Sequence, residues 1–243
     1  MNFSFFRAAA AVCAFTLLLS PASAETAPEG TSLTLLTQAA QKAEDFAHYR
    51  YAYTVEHWTR NGENETTLTL RFDPRLEGDA RWQVLTPAEE ALNKPQQKAL
   101  KQLRKGEMED SPILYDSLDD MIGDAELVSE SETEAVYVAQ LDDDDAPKDA
   151  LEVFITLNKP GAYISSIELK SKKPFKPAPV AKVKKLVQTQ RFAAPEGDGP
   201  ALIVTSEAHI EGEAMFKSFS TDTRQTFSGI EQVEVAVEES DEG

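Results

Sequence analysis

The chain has 243 residues, with 42 acidic against 24 basic side chains and a net charge of −18. That balance argues against a nucleic-acid binder and against adsorption to anionic membranes. Cys13 is the single cysteine, so the fold is held by its core alone, and 243 residues suffice for one.

Arg7 precedes an apolar run from Ala8 to Leu19, broken by Thr16, and Ala22-Ser23-Ala24 follows. A basic start, a short apolar stretch and a small-x-small site read as a secretory signal peptide over residues 1–24, cleaved after Ala24. The run is shorter than the roughly 20 apolar residues of a membrane-spanning helix. Val12 stands before Cys13 where lipoprotein processing takes a small residue. The product is therefore expected in the periplasm, exported and without a lipid anchor.

Thr31 or Ser32 caps an expected helix to about Phe46, with Leu33, Leu36, Ala40, Ala43 and Ala47 on one stripe. A hairpin follows. Tyr49, Tyr51, Tyr53 and Val55 share one strand face, Asn61-Gly62 marks the turn, and Thr66, Leu68, Leu70 and Phe72 alternate on the return. Asp73-Pro74 ends it, and Arg81 to Leu85 is a third strand containing Trp82.

From about 87 to 122 the spacing becomes helical, with Pro95 kinking or starting a helix and Pro112 opening another over Ile113 to Ile122. This insert carries Leu118 and Met121 and sits where a covering layer belongs. Ala125 to Val128 and Ala135 to Leu141 form a further hairpin, and Asp142 to Asp145 an acidic turn. Leu151 to Phe219 then alternates as a meander of four or five strands. Phe227 is expected to end the structured part, Val233 to Val237 to add an edge strand, and the acidic end to be disordered.

These elements predict a mainly β (α+β) fold: a curved antiparallel sheet, an unclosed half-barrel of about ten strands, covered by the N-terminal helix and the insert. One domain is expected over 25–229, with an acidic tail over 230–243. Charge is unevenly placed: 17 acids and two bases lie from Lys105 to Glu152, and eight bases and one acid from Glu168 to Arg191.

No nucleophile elbow, P-loop, dinucleotide fingerprint or zinc-protease motif occurs, so no enzyme activity, catalytic residue, cofactor or metal is expected. His48 and His57 lie an odd number of residues apart on one strand and face opposite ways. The aromatic face is the candidate ligand site: Tyr49, Tyr51, Tyr53, Leu68, Leu70, Phe72 and Trp82, with Leu118 and Met121 from the insert. It reads either as ordinary core or as the wall of a cavity for an acyl chain. Lys170, Lys172, Lys173, Lys176, Lys182, Lys184 and Lys185, among Pro174, Pro177 and Pro179, form a basic stretch at a sheet edge or crossover. Such lysines block edge aggregation or dock an acidic partner.

The order of leader, helix, Tyr-rich strand Tyr49 to Trp58, hairpin with Leu68 to Pro74, and Arg81-Trp82 resembles the periplasmic lipoprotein-carrier (LolA/LolB-like) superfamily. The resemblance implies an unclosed antiparallel barrel with helices plugging an apolar concavity, and lipoprotein acyl chains as ligand. The Lys/Pro stretch, the acidic balance and the acidic tail depart from that pattern, as in a divergent member. The expected function is a soluble periplasmic binding or carrier protein holding a lipid or other apolar ligand. The alternative is an envelope interaction module with a filled core, docking a protein partner through its lysine-rich edge or acidic insert.

Overall fold

The computed structural model describes residues 31–47, 49–104, 122, 125–140, 150–215 and 217–233. The expected signal peptide, His48, the acidic turn at 142–145, Leu118, Met121 and the part of the expected acidic tail beyond Val233 lie outside them.

Helix α1 (Thr31–Asp45) is built from good helix formers. Leu36, Ala39, Ala40 and Ala43 are its buried stripe. Small alanines let it lie close on β6 (Leu151–Asn158) and β7 (Tyr163–Ser171), whose inward side chains are Leu151, Val153, Ile155, Leu157, Ile164 and Leu169. Strict alternation of buried and half-buried positions along β6 is what one apolar face demands.

The first hairpin joins β1 (Arg50–Asn61) to β2 (Asn64–Phe72), with Asn61 opposite Asn64 and Gly62 at φ +60° in the turn. β3 (Trp82–Thr86) continues it, with Trp82 opposite Phe72. Helix α2 (Lys94–Arg104) starts in a reciprocal cap: Asn93 N–H donates to Gln96 Oε1 at 2.9 Å, and Gln96 N–H to Asn93 Oδ1 at 3.0 Å. Pro95 thus begins this helix, in the first turn, where a missing N–H costs nothing. Gln96 Nε2 donates to Thr67 O at 2.8 Å, and Arg104 Nη2 to Trp82 O at 3.2 Å, fastening α2 over β2 and β3. Of the helix expected over 113–122, only Ile122 is described, and it is buried.

The remaining strands are β4 (Glu126–Glu130), β5 (Glu134–Gln140), β8 (Phe175–Ala178), β9 (Ala181–Phe192), β10 (Ile203–Ala214) and β11 (Lys217–Val233). All eleven join one antiparallel sheet in the order β3-β2-β1-β11-β10-β9-β7-β6-β5-β4, with β8 on β9 outside that path. β3 and β4 are the two edges, so the half-barrel is unclosed, and residues 87–125 carry the chain from one edge to the other.

Two expectations change here. The fifth strand of the meander does not stop at Phe219, and Val233, expected to begin an edge strand, is the last residue of that fifth strand. Lys217–Val233 is a single strand that pairs with β1 on one side and β10 on the other. Its sequence carries too few apolar residues to alternate, so its pairing is imposed by neighbours on both flanks. Gly229, at φ +55°, lies within the register shift that lets so long a strand follow β1.

Candidate functional site

The inner face of the sheet divides into three zones, read off by following paired residues from strand to strand. The first is aromatic. Tyr51, Tyr53, Leu68, Leu70, Phe72 and Trp82 are brought together and buried. Their rings pack at 4.8 Å for Phe72 and Trp82, 5.2 Å for Tyr53 and Phe72, and 5.7 Å for Tyr53 and Phe227. Tyr49 stands half-buried at the rim, 5.4 Å from Phe46. The Tyr51 hydroxyl is buried with no hydrogen-bond partner among the described residues. Desolvation first, and then neighbouring Tyr49, push its pKa up to about 12, so it stays a neutral donor.

The second zone is aliphatic. Ala135, Tyr137 and Ala139 of β5 continue Leu157, Ile155 and Val153 of β6, and α1 covers them.

Between these walls lies a zone of different chemistry. One row runs Ile167–Gln190–Ser206–Gln225–His57–Leu68 across β7, β9, β10, β11, β1 and β2. The next runs Leu169–Gln188–Ala208–Thr223–Thr59–Thr66. Apolar residues return on either side: Phe192 beside Ile203 and Phe227 beside Val55 on one, and Leu186 beside Ile210 on the other, where the row runs on through Thr221 to Asn61. Gln188 and Thr59 are buried, and Gln190, Ser206, Thr223, Gln225 and His57 are half-buried. His57 Nε2 and Thr59 Oγ1 lie 2.9 Å apart, and burial pushes the His57 pKa down, favouring the neutral ring. Gln188 Oε1 has no partner among the described residues.

The charged side chains of the same strands face outward. Arg60 Nη2 lies 2.9 Å from Asp222 Oδ2, and Asp222 Oδ1 is 2.7 Å from His209 Nδ1. His209 Nε2 is 2.7 Å from Glu211 Oε1, so neither ring nitrogen is left as a free base. The Glu211 and then the Asp222 hydrogen bonds raise the His209 pKa. Arg60 and Arg224 lie 5.5 and 5.7 Å from the Trp58 ring centre, beside a shallow cleft of about 310 Å³. Another, of about 530 Å³, lies along α2 between Leu92, Leu100 and Arg104. Among the described residues no group of three or more His, Cys, Asp and Glu is placed to hold a metal ion.

The seven lysines are spread over β7, β8, β9 and the turn after β7. Among the described residues β8 pairs only with β9, which explains why Pro177 is tolerated in it. Lys170 pairs with Glu168 and lies 4.7 Å over the Phe154 ring, Lys172 is 3.4 Å from Glu152, and Lys184 pairs with Glu213. Lys173, Lys176, Lys182 and Lys185 are exposed. Beside them are exposed Val180 and Met215, joined by a 3.0 Å bond from Met215 N–H to Val180 O.

The polar rows are the residues that strand reading passes over. Their signal is the failure of apolar alternation at Gln188 and Gln190, Ser206, and Thr223 and Gln225, three strands in succession.

No protein-family model matches the chain, and no curated protein does. Among solved structures it is similar to a LolA superfamily protein from Nitrosomonas europaea, at 12% identity and a TM-score of 0.40 over 82% of this chain and 94% of that one. It is also similar to an isomerase-inactive variant of GphF DH1, at 12% identity and a TM-score of 0.19 over 85% and 84%. The first belongs to the superfamily that the Tyr-rich strand and Phe-Asp-Pro hairpin resemble. At these scores neither likeness carries weight, and the half-barrel rests on the strand order and register described above.

Proposed function

We propose that this chain is an exported, periplasmic binding or carrier protein that holds a lipid or other apolar ligand against the inner face of its half-barrel. One observation carries the reading. The aromatic and aliphatic walls are sealed by α2 and α1, while the inner face of the strands between them stays half-buried at Gln190, Ser206, Thr223, Gln225 and His57. A filled core would bury that middle with apolar side chains. A floor left accessible between two apolar walls suits a ligand with a long hydrocarbon part. In this reading Tyr49, Tyr51, Tyr53, Leu68, Leu70, Phe72 and Trp82 line one wall, and the expected contribution of Leu118 and Met121 lies outside the described residues.

Native mass spectrometry of protein released gently from the periplasm should show a lipid adduct. The folded chain should also bind the neutral dye N-phenyl-1-naphthylamine. Apo protein alone, together with no dye binding, sinks the reading.

A second reading is favoured by exposed Val180 and Met215 among Lys173, Lys176, Lys182 and Lys185. An apolar tip ringed by lysines suits docking to an acidic envelope protein. Crosslinking in cells with a lysine-reactive reagent should trap one partner through residues 170–185. Replacement of Lys173, Lys176, Lys182 and Lys185 by Gln should abolish the adduct, and an adduct that survives counts against this surface.

A further inference from the structure

The two middle rows are unusual for their position. Polar side chains on the covered face of a sheet are costly when left without a partner. Here Gln188, Gln190, Ser206, Gln225, Thr223, Thr59 and His57 stand together on four adjacent strands. Gln188 is only 6% exposed, and its amide oxygen has no partner among the described residues. That oxygen is a buried acceptor facing the inner side.

The set is also selective in what it leaves out. No Lys, Arg, Asp or Glu stands in either row, although the intervening positions of these strands carry Arg60, Glu207, His209, Glu211, Asp222 and Arg224. The side-chain period of two sends every one of those charges to the outer face. Among the described residues, an anionic headgroup on these two rows would therefore meet no cation, and an ammonium no carboxylate. Glutamine amides, hydroxyls and a neutral imidazole offer both donors and acceptors to uncharged oxygen and nitrogen functions.

The geometry points to a specific ligand class: we propose that the two rows bind the uncharged, hydrogen-bonding head of an amphiphile, an ester, amide or hydroxyl, whose hydrocarbon chain lies along the apolar rows beside it. This rests on the carrier reading above and adds the chemistry of the ligand's polar end. Four strands spaced about 4.8 Å apart give the floor a width of about 14 Å, and two rows a depth of about 7 Å. That area suits a head with two or three oxygen functions, as in a glyceride.

The test displaces N-phenyl-1-naphthylamine from the purified chain with two lipids of equal chain length, monoolein and oleate, at a pH where oleate is ionised. Monoolein is expected to compete at least about tenfold more tightly than oleate, because a charged head has no counter-ion here. The variant Gln188→Leu with Gln190→Leu should lose that preference, the monoolein-to-oleate ratio falling towards one once each displacement is referred to the variant's own dye affinity. Gln225→Leu serves the same purpose if the double variant fails to fold. Oleate competing as well as monoolein, or a preference that survives in the variants, overturns the inference and leaves an apolar carrier standing. Absence of binding by the dye and by both lipids overturns the carrier reading itself.

Discussion

Tyr137 donates a 2.8 Å hydrogen bond from its phenolic oxygen to Ser32 Oγ, a buried contact between β5 and the first turn of α1. Ser32 in turn supports Glu130, whose pKa is lowered first by Lys159 and then by Ser32. One short chain of bonds therefore fixes where α1 begins and ties it to two strands. Tyr137→Phe and Ser32→Ala should each lower unfolding free energy by about 0.5–1.5 kcal/mol in urea titrations. The double variant should lose less than the sum, and strict additivity would show that the bond does not couple the two residues.

Leu36 is 0% exposed and is the largest side chain that α1 buries in the core. Leu36→Ala is expected to cost about 2–5 kcal/mol, since it loses apolar burial and leaves a gap that rigid strands cannot close. Thr34→Ala, on the exposed side of the same helix, should change the urea midpoint little. Comparable losses from both would mean that burial of Leu36 against the sheet does not set the cost.

Gly212 permits β9, β10 and β11 to approach. A Cβ there would lie 2.5 Å from Lys182 O and 2.7 Å from a Phe219 ring carbon. The ring can shift but the carbonyl belongs to the paired strand. Gly212→Ala should therefore destabilise by about 1–3 kcal/mol as overpacking, despite replacing glycine in a strand. An unchanged melting temperature would show that the strands separate here without penalty.

His209, Glu211 and Asp222 set a pH dependence with two limbs. The folded His209 pKa is raised, chiefly by Glu211 and then Asp222, so its contribution is complete below the unfolded imidazole pKa and fades as pH rises through the folded one. The Glu211 and Asp222 pKa values are lowered, each mainly by His209. Their contributions are complete above the unfolded carboxylate pKa and fade as pH falls through the folded one. Lys185 opposes the His209 shift, and Arg60 deepens that of Asp222. The network is thus strongest in mildly acidic solution, between the two titrations. His209→Gln should flatten both limbs in urea midpoints measured from about pH 4 to pH 9. A profile unchanged by the substitution would place the pH dependence elsewhere.

Much of the sheet is legible in local pattern. Leu151, Val153, Ile155 and Leu157 alternate and are all buried, Asn61-Gly62 turns the first hairpin, and Leu36, Ala40 and Ala43 mark the covered side of α1. The tight aromatic packing of Tyr53, Phe72 and Trp82 follows from the same alternation across a short hairpin. β11 is not legible in this way. Ser218 to Thr226 holds one apolar residue, Phe219, so nothing local marks a strand. Its hydrogen bonds to β1 and β10 come from partners more than a hundred residues away and from an adjacent hairpin.

By itself, then, the sequence determines the element types, the inward face of each strongly alternating strand, and the acidic, cysteine-poor character of the product. These depend on period, propensity and charge, which are local. The tertiary structure decides that β1 and β11 pair, and in which register. Only that register lines up Gln188, Gln190, Ser206, Thr223, Gln225, His57 and Thr59 as one uncharged floor, because neighbours in a row are set by pairing between distant strands.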